Sequence, residues 1–316
     1  MKKKKIAIVS DHAGFYLKQK LLEFLKNKKY EVKDFVIQGG GLAATATCVC
    51  SSLGWRSGYV TKIGDNFFSQ IARMEYQVRG IQPDFFIDVP SARPVISIIQ
   101  VDQHTAERTI FYNRADYQFL HPADLPLESL KKANVLIIDG YEPDAAEAVL
   151  EAVKGTACRT VLDLESGEQE TFRRLISLGT DVILPMTTAR LLTGKETPED
   201  VLQGLAGMTK GQLVVTDGIL GSWALTPEGV IHQKAFPVEA VDTTGCGDVF
   251  HGAYAAGLLE GMNLEERLEF AAWLASIVAC QVGGRTALPS RRQISALDQS
   301  MLTEPLKAIL AKMSQK

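Results

Sequence analysis

Between Val135 and Asp217 the chain alternates short β-branched runs with amphipathic stretches at a near-constant pitch. Val135–Asp139, Thr160–Leu164, Asp181–Pro185 and Gln212–Asp217 read as strands, and Ala145–Lys154, Glu168–Leu178 and Pro198–Met208 as helices. Strand, helix, strand at this spacing predicts an α/β fold with a mostly parallel sheet and helices on both faces. In such sheets ligands gather outside the carboxyl ends of the strands. The segment Phe85–Phe119 breaks the pattern: Ile96–Val101 and Thr109–Asn113 are extended and, joined by His104-Thr105-Ala106-Glu107, predict a hairpin. From Leu264 to Cys280 the pattern is helical and apolar until Gly283-Gly284 interrupts it, and no internal repeat or low-complexity linker is present.

The chemistry concentrates in Asp242-Thr243-Thr244-Gly245-Cys246-Gly247-Asp248, which runs into an apolar helix predicted from Val249 to Leu259. Glycines at 245 and 247 let backbone N–H groups approach an anion closely. The helix start places those groups at a positive end, where phosphate is favoured. Asp248, beside that anion site, can accept a proton from an attacking hydroxyl. A glycine-rich strand-to-helix turn with a capping Asp would share the bare GxGD pattern.

The longer run Asp242–Tyr254 resembles the second signature of the ribokinase-like sugar kinases, the phosphofructokinase-B family. The resemblance implies a ribokinase-like fold with a small β lid, at about residues 85–119, and transfer of the ATP γ-phosphoryl to a sugar or nucleoside hydroxyl. It makes Asp248 the base and the amides of Gly245, Cys246 and Gly247 the anion hole, with Cys246 where the family usually has Ala. Gly39-Gly40-Gly41-Leu42-Ala43-Ala44-Thr45-Ala46 resembles the first signature, whose glycines meet the sugar, with Thr45 in place of the common Asn. Ile63-Gly64-Asp65-Asn66-Phe67-Phe68 matches a further family strand end. The turn Val214–Gly221 is where the family holds ATP, which assigns Thr216, Asp217, Gly218 and Gly221 to the nucleotide. Asp242 and Thr244 match positions that often bind a monovalent cation such as K⁺, closed from the other side by residues 281–285.

The family often carries Asn-x-x-Glu ahead of Leu-Thr-Gly, and this Glu helps to place the Mg²⁺ shell; here Pro185 and Thr188 stand at those two positions. Mg²⁺ binds largely through phosphates and keeps several waters, so transfer does not require that pair. Within the family, the GGG-x-AATA opening, Val241–Ala253 and Gly283-Gly284-Arg285-Thr286-Ala287-Leu288-Pro289 resemble the 6-deoxy-6-sulfofructose kinases. That likeness implies an anionic ketose or hexose substrate, with Asn113 and Arg114 on the sugar side and Arg114 or Arg285 as anion partners. A nucleoside or ribose kinase and a nucleotide-binding vestige are the alternatives.

Residues 1–35 differ from this pattern. Ile6-Ala7-Ile8-Val9-Ser10-Asp11-His12-Ala13-Gly14-Phe15 and Tyr30–Phe35 resemble the start of type B ribose-5-phosphate isomerases. Ile6–Val9 and Glu31–Phe35 read as strands around a helix at Phe15–Asn27. The later catalytic residues of that isomerase have no counterpart, and thirty-five residues bury no independent core. The expected layout is therefore a foreign β-α-β opening joined to a kinase domain at residues 36–316, and a shortened lid would weaken water exclusion.

The formal charge of −3 leaves no basic footprint for nucleic acid, and no apolar stretch has membrane-spanning length. Five cysteines (48, 50, 158, 246 and 280) without CxxC pairing point to reduced thiols in a cytoplasm. The expected partners are ATP and a small sugar, with a second copy of the chain as a further candidate through the lid strands.

Overall fold

The computed structural model describes residues 5–9, 31–35, 38–101 and 108–315. Its strands are Lys5–Val9 (β1), Glu31–Phe35 (β2), Thr61–Ile63 (β3), Phe86–Asp88 (β4), Ile96–Val101 (β5), Arg108–Asn113 (β6), Val135–Asp139 (β7), Arg159–Asp163 (β8), Asp181–Pro185 (β9), Gln212–Thr216 (β10), Ser222–Thr226 (β11) and Gly229–Gln233 (β12). The principal helices are Leu42–Ser52 (α1), Phe67–Val78 (α2), Pro143–Val153 (α3), Gln169–Leu178 (α4), Met186–Thr193 (α5), Pro198–Ala206 (α6), Cys246–Leu259 (α7), Leu264–Ala279 (α8) and Glu304–Met313 (α9).

The central sheet has six strands in the order β12-β11-β10-β9-β8-β7. β7 to β10 are mutually parallel, and β11 and β12 extend the sheet antiparallel. Successive side chains of a strand point to opposite faces, and this alternation builds two cores. Val161, Ile183, Val214 and Ala224 pack with α1, α7, α8 and α9 on one face. Leu162, Val182, Leu184, Leu213 and Val215 pack with α3 to α6 on the other. This is the mostly parallel α/β architecture with helices on both faces expected from the alternating pattern. α8 opens on a reciprocal capping box between Asn263 and Glu266, which sets its start sharply.

β5 and β6 form the expected antiparallel hairpin, in register from Ile96↔Asn113 to Val101↔Arg108. The His104–Glu107 connection lies outside the described residues. Ile98, Phe111 and Tyr112 of the hairpin are exposed. β1 and β2 pair in parallel as a separate two-stranded sheet. Among the described strands, β1 therefore does not extend the main sheet beyond β7. The expected Phe15–Asn27 helix lies outside the described residues, as do Asp11 and His12. No helix among the described residues is long and apolar enough to cross a membrane.

α1 and α7 lie very close together. A Cβ on Gly252 would stand 2.5 Å from the Ala46 carbonyl and 2.7 Å from Val49 Cβ, so only glycine permits this approach. Cys50 Sγ reaches the Gly252 carbonyl at 3.4 Å across the same contact. Both helices also pack against β7, whose carboxyl end carries Asp139. The amide of Ala43, in the first turn of α1, lies 3.4 Å from Asp139 Oδ2.

Candidate active site

The helix expected at Val249 begins three residues earlier, at Cys246, because Gly245 (φ 76°) takes the left-handed conformation that starts it. Asp248 therefore lies within the first turn. A Cβ on Gly245 would stand 2.8 Å from Gly284 Cα, so the same glycine also allows the 283–284 loop to close over the turn. Of the three amides expected to form the anion hole, that of Cys246 turns back to the Thr243 carbonyl at 3.3 Å. Among the described residues, the amides of Gly245, Gly247 and Asp248 have no internal acceptor. The first four N–H groups of a helix have no partner within it, so these point to where an anion is favoured.

Asp248 is half-buried. Burial pushes its carboxyl up from an ordinary 3.8 to about 7, Asp163 and Glu165 add to the rise, and His251 and Arg285 oppose it. A carboxyl titrating near neutrality is suited to take a proton from a hydroxyl.

Two further acids that the sequence reading missed, Asp163 and Glu165, act on it, and a third, Asp139, pairs with Asp163. Asp139 and Asp163 are register partners at the carboxyl ends of β7 and β8. Burial raises Asp139 to about 6, and Asp163 well above the carboxylate range. Neither Asp163 oxygen accepts a hydrogen bond, although the residue is fully buried; His251 Nδ1 lies 3.4 Å away and is itself 2.8 Å from the Gly247 carbonyl. Glu165 Oε1 stands 3.7 Å from the position a Gly247 Cβ would take, and Thr188 Oγ1 donates to the Glu165 carbonyl at 2.8 Å. The signal available in the sequence was acidic residues closing successive parallel strands, the edge at which such sheets bind.

In the loop expected to meet the sugar, the three glycines play different parts. A Cβ on Gly39 would collide with Arg285 Nη1 at 2.4 Å, and the Gly39 amide donates to Glu75 Oε2. Gly41 has φ 91°. Gly40 and Gly41 are exposed, and a Cβ on Gly40 would meet nothing within 4 Å, which leaves room for a ligand. Thr45, expected on the sugar side, is buried, and its Oγ1 accepts from Arg285 Nε at 3.0 Å. Arg285 is corrected as an anion partner, because it is 1% exposed and its guanidinium is committed to Thr45, Gly40 and Glu75. Asn113, the last residue of β6, and Arg114 just beyond it are exposed. Asn113 Oδ1 accepts from the Ala115 amide at 2.8 Å, and Arg114 lies 5.9 Å over the Tyr112 ring.

The turn expected to hold the nucleotide begins at the end of β10, with Thr216 and Asp217 half-buried and Gly218 exposed. The Asp217 amide closes it on the Gly221 carbonyl at 2.8 Å, and a Cβ on Gly221 would lie 2.1 Å from the Gln233 carbonyl. Asp242 is 3% exposed, with Oδ1 accepting from Thr244 N and Oδ2 from Gly283 N, each at 2.8 Å. Thr244 Oγ1 is buried with no hydrogen-bond partner. Among the described residues, no three His, Cys, Asp or Glu side chains converge to cage a metal ion.

The model of the pfkB family of carbohydrate kinases matches residues 3–291, a span that takes in the opening segment. The 5-dehydro-2-deoxygluconokinase of Bacillus subtilis is 23% identical over 280 residues, covering 82% of this chain and 86% of its own. The ribokinase of the same organism is 24% identical over 262 residues, covering 82% and 87%. The fold is shared with the Vibrio cholerae O395 fructokinase solved with fructose, ADP and a calcium ion (TM-score 0.73, 20% identity, 93% of this chain and 96% of that one). The chain therefore belongs to the pfkB family, and it is an ATP-dependent carbohydrate kinase.

Proposed function

We propose that Asp248 deprotonates a hydroxyl of a bound sugar, which then attacks the ATP γ-phosphoryl. The carrying observation is a half-buried carboxyl titrating near 7 in the same helical turn as amides with no internal acceptor. ATP would lie along Thr216, Asp217, Gly218 and Gly221, with its terminal phosphate at Gly245, Gly247 and Asp248. The sugar would rest against Gly40 and Gly41. Transfer of this kind depends on position and electrostatics more than on covalent chemistry.

Hard carboxylate oxygens suit Mg²⁺, and the buried Asp163 oxygens without hydrogen bonds fit a nearby cation. Glu165 and Asp163 would face the waters of an ion brought in on the phosphates, where it would neutralise their charge. Thr188, at the place of the family's Glu, instead braces the Glu165 backbone. The buried Thr244 hydroxyl beside Asp242 supports a K⁺ position there.

Glu165 beside Asp248 supports a neutral sugar over an anionic one; Arg114 is the cation left for the anionic reading. The opening segment is proposed as a structural β-α-β piece without isomerase activity, and the exposed face of β5–β6 as a contact between two copies. Scoring ADP formation over neutral sugars, sugar acids, sugar phosphates and nucleosides tests the assignment. Nucleotide binding with no sugar-dependent ADP release from any of them would instead mark a vestigial nucleotide-binding protein.

A further inference from the structure

Arg285 is the largest fully buried side chain among the described residues, and phosphoryl transfer as set out above does not use it. It follows Gly284, whose Cα packs against Gly245 of the anion turn, and Gly283, whose amide bonds Asp242. From there its side chain crosses to the sugar loop. Nη2 donates to the Gly40 carbonyl at 2.8 Å, Nε to Thr45 Oγ1 at 3.0 Å, and Nη1 to Glu75 Oε1 at 3.3 Å. Glu75 in turn holds the Gly39 amide. Arg79 grips both ends, with Nε on Glu75 Oε1 at 2.9 Å and Nη2 on the Arg285 carbonyl at 3.1 Å.

The charges confirm how tightly this unit is tied. Burial pushes up on the Glu75 carboxyl, yet the Arg285 charge, the Gly39 amide and Arg79 outweigh it and leave it lowered. A planar guanidinium satisfied on three edges is a rigid spacer in a way a lysine is not. Removing one partner of such a buried pair leaves the other uncompensated, so the unit moves as one or breaks.

We propose that Arg285 is a positioning residue that couples the two substrate loops. Closure of a phosphate-bearing ligand on Gly245–Asp248 settles Gly283-Gly284, and through Arg285 orders Gly39–Thr45, which that ligand does not touch. The proposal rests on the assignment of the anion turn made above. Its consequence is that nucleotide and sugar bind cooperatively through the protein as well as at the reacting atoms, each raising the affinity for the other by the same factor.

Hydrogen–deuterium exchange on the full chain, with and without Mg·AMP-PNP as probe, tests it. In the wild type, the analogue slows exchange at 245–248 and also at 39–45, the latter by roughly five- to a hundredfold, the ordinary span of coupling between sites. In Arg285→Met, slowing persists at 245–248 and is lost at 39–45, and Arg285→Lys restores only part of it. Equal slowing at 39–45 in Arg285→Met and wild type overturns the coupling, as does a wild type protected at 245–248 alone. A wild type protected at neither segment removes the anion-turn assignment itself and the proposal with it. If Arg285→Met does not fold, Glu75→Gln decides: reduced slowing at 39–45 supports the coupling, and wild-type slowing refutes it.

Discussion

Asp248→Asn should make the enzyme slower and the protein more stable, and the stability change should follow pH in a definite direction. In the folded chain the carboxyl is raised from 3.8 to about 7, so the folded state holds this proton more tightly than the unfolded state. Below about pH 4 the group is protonated in both states and costs nothing. Between pH 4 and 7 the unfolded chain ionises first, and folding has to retain or recover a proton. Above 7 the folded protein carries a buried carboxylate at full cost. Three pKa units correspond to a ceiling of about 4 kcal/mol, which water entry and relaxation would reduce to roughly 2 kcal/mol. Asparagine keeps the shape without the charge. Urea titrations should therefore show Asp248→Asn more stable than wild type at pH 8, with the gain shrinking towards zero as the pH falls to 4. In parallel, kcat for sugar-dependent ADP formation should drop by about 10²–10⁴, the range for losing a general base. The wild-type kcat/KM should fall about tenfold per pH unit below 7, since that ratio reports the free enzyme. A gain independent of pH, or a variant less stable than wild type at pH 8, would refute the claim that this site stores the cost of a buried charge. An unchanged kcat would remove Asp248 as the base.

Other outcomes follow from single contacts. Gly245→Ala should lose about 1–2 kcal/mol from its left-handed φ alone, and the 2.8 Å approach to Gly284 adds to it; calorimetry with Mg·AMP-PNP should show weakened binding as well. Asp181 is fully buried and accepts from Arg159, Tyr254 and Thr180, far from the anion turn. Asp181→Ala should cost about 3–5 kcal/mol in urea while kcat per folded molecule holds, and a selective loss of kcat would contradict a purely structural role. Glu165→Gln should raise the Mg²⁺ concentration for half-maximal ADP formation by roughly tenfold, the scale seen when an outer-sphere partner of a metal is removed. An unchanged Mg²⁺ requirement would exclude Glu165 from that shell.

The main sheet was legible because its signals are local. β7 and β9 occupy the residues predicted for them, and β8 and β10 end within one residue, since each buries a β-branched run bounded by turn residues. The turn at Gly245 was legible for the same reason, as a glycine there states a backbone requirement in the residue itself, met by its φ of 76°. The start of α7 was misplaced because Cys246 and Gly247 are poor helix formers, and only the conformation of Gly245 reveals that the helix has begun.

By itself, then, the sequence determined the layering, the hairpin of β5 and β6, and the tight turn at Gly245, because periodicity and glycine act over a few neighbouring residues. Tertiary structure decided which charges meet. Arg285 reads in the chain as a loop cation available to an anion, yet it is buried against Glu75, 210 positions away, and serves the protein's interior. Asp139 and Asp163 become neighbours only through the register of two parallel strands. Whether a charged side chain is a ligand, a base or a strut depends on its solvation and its distant partners, and folding alone fixes both.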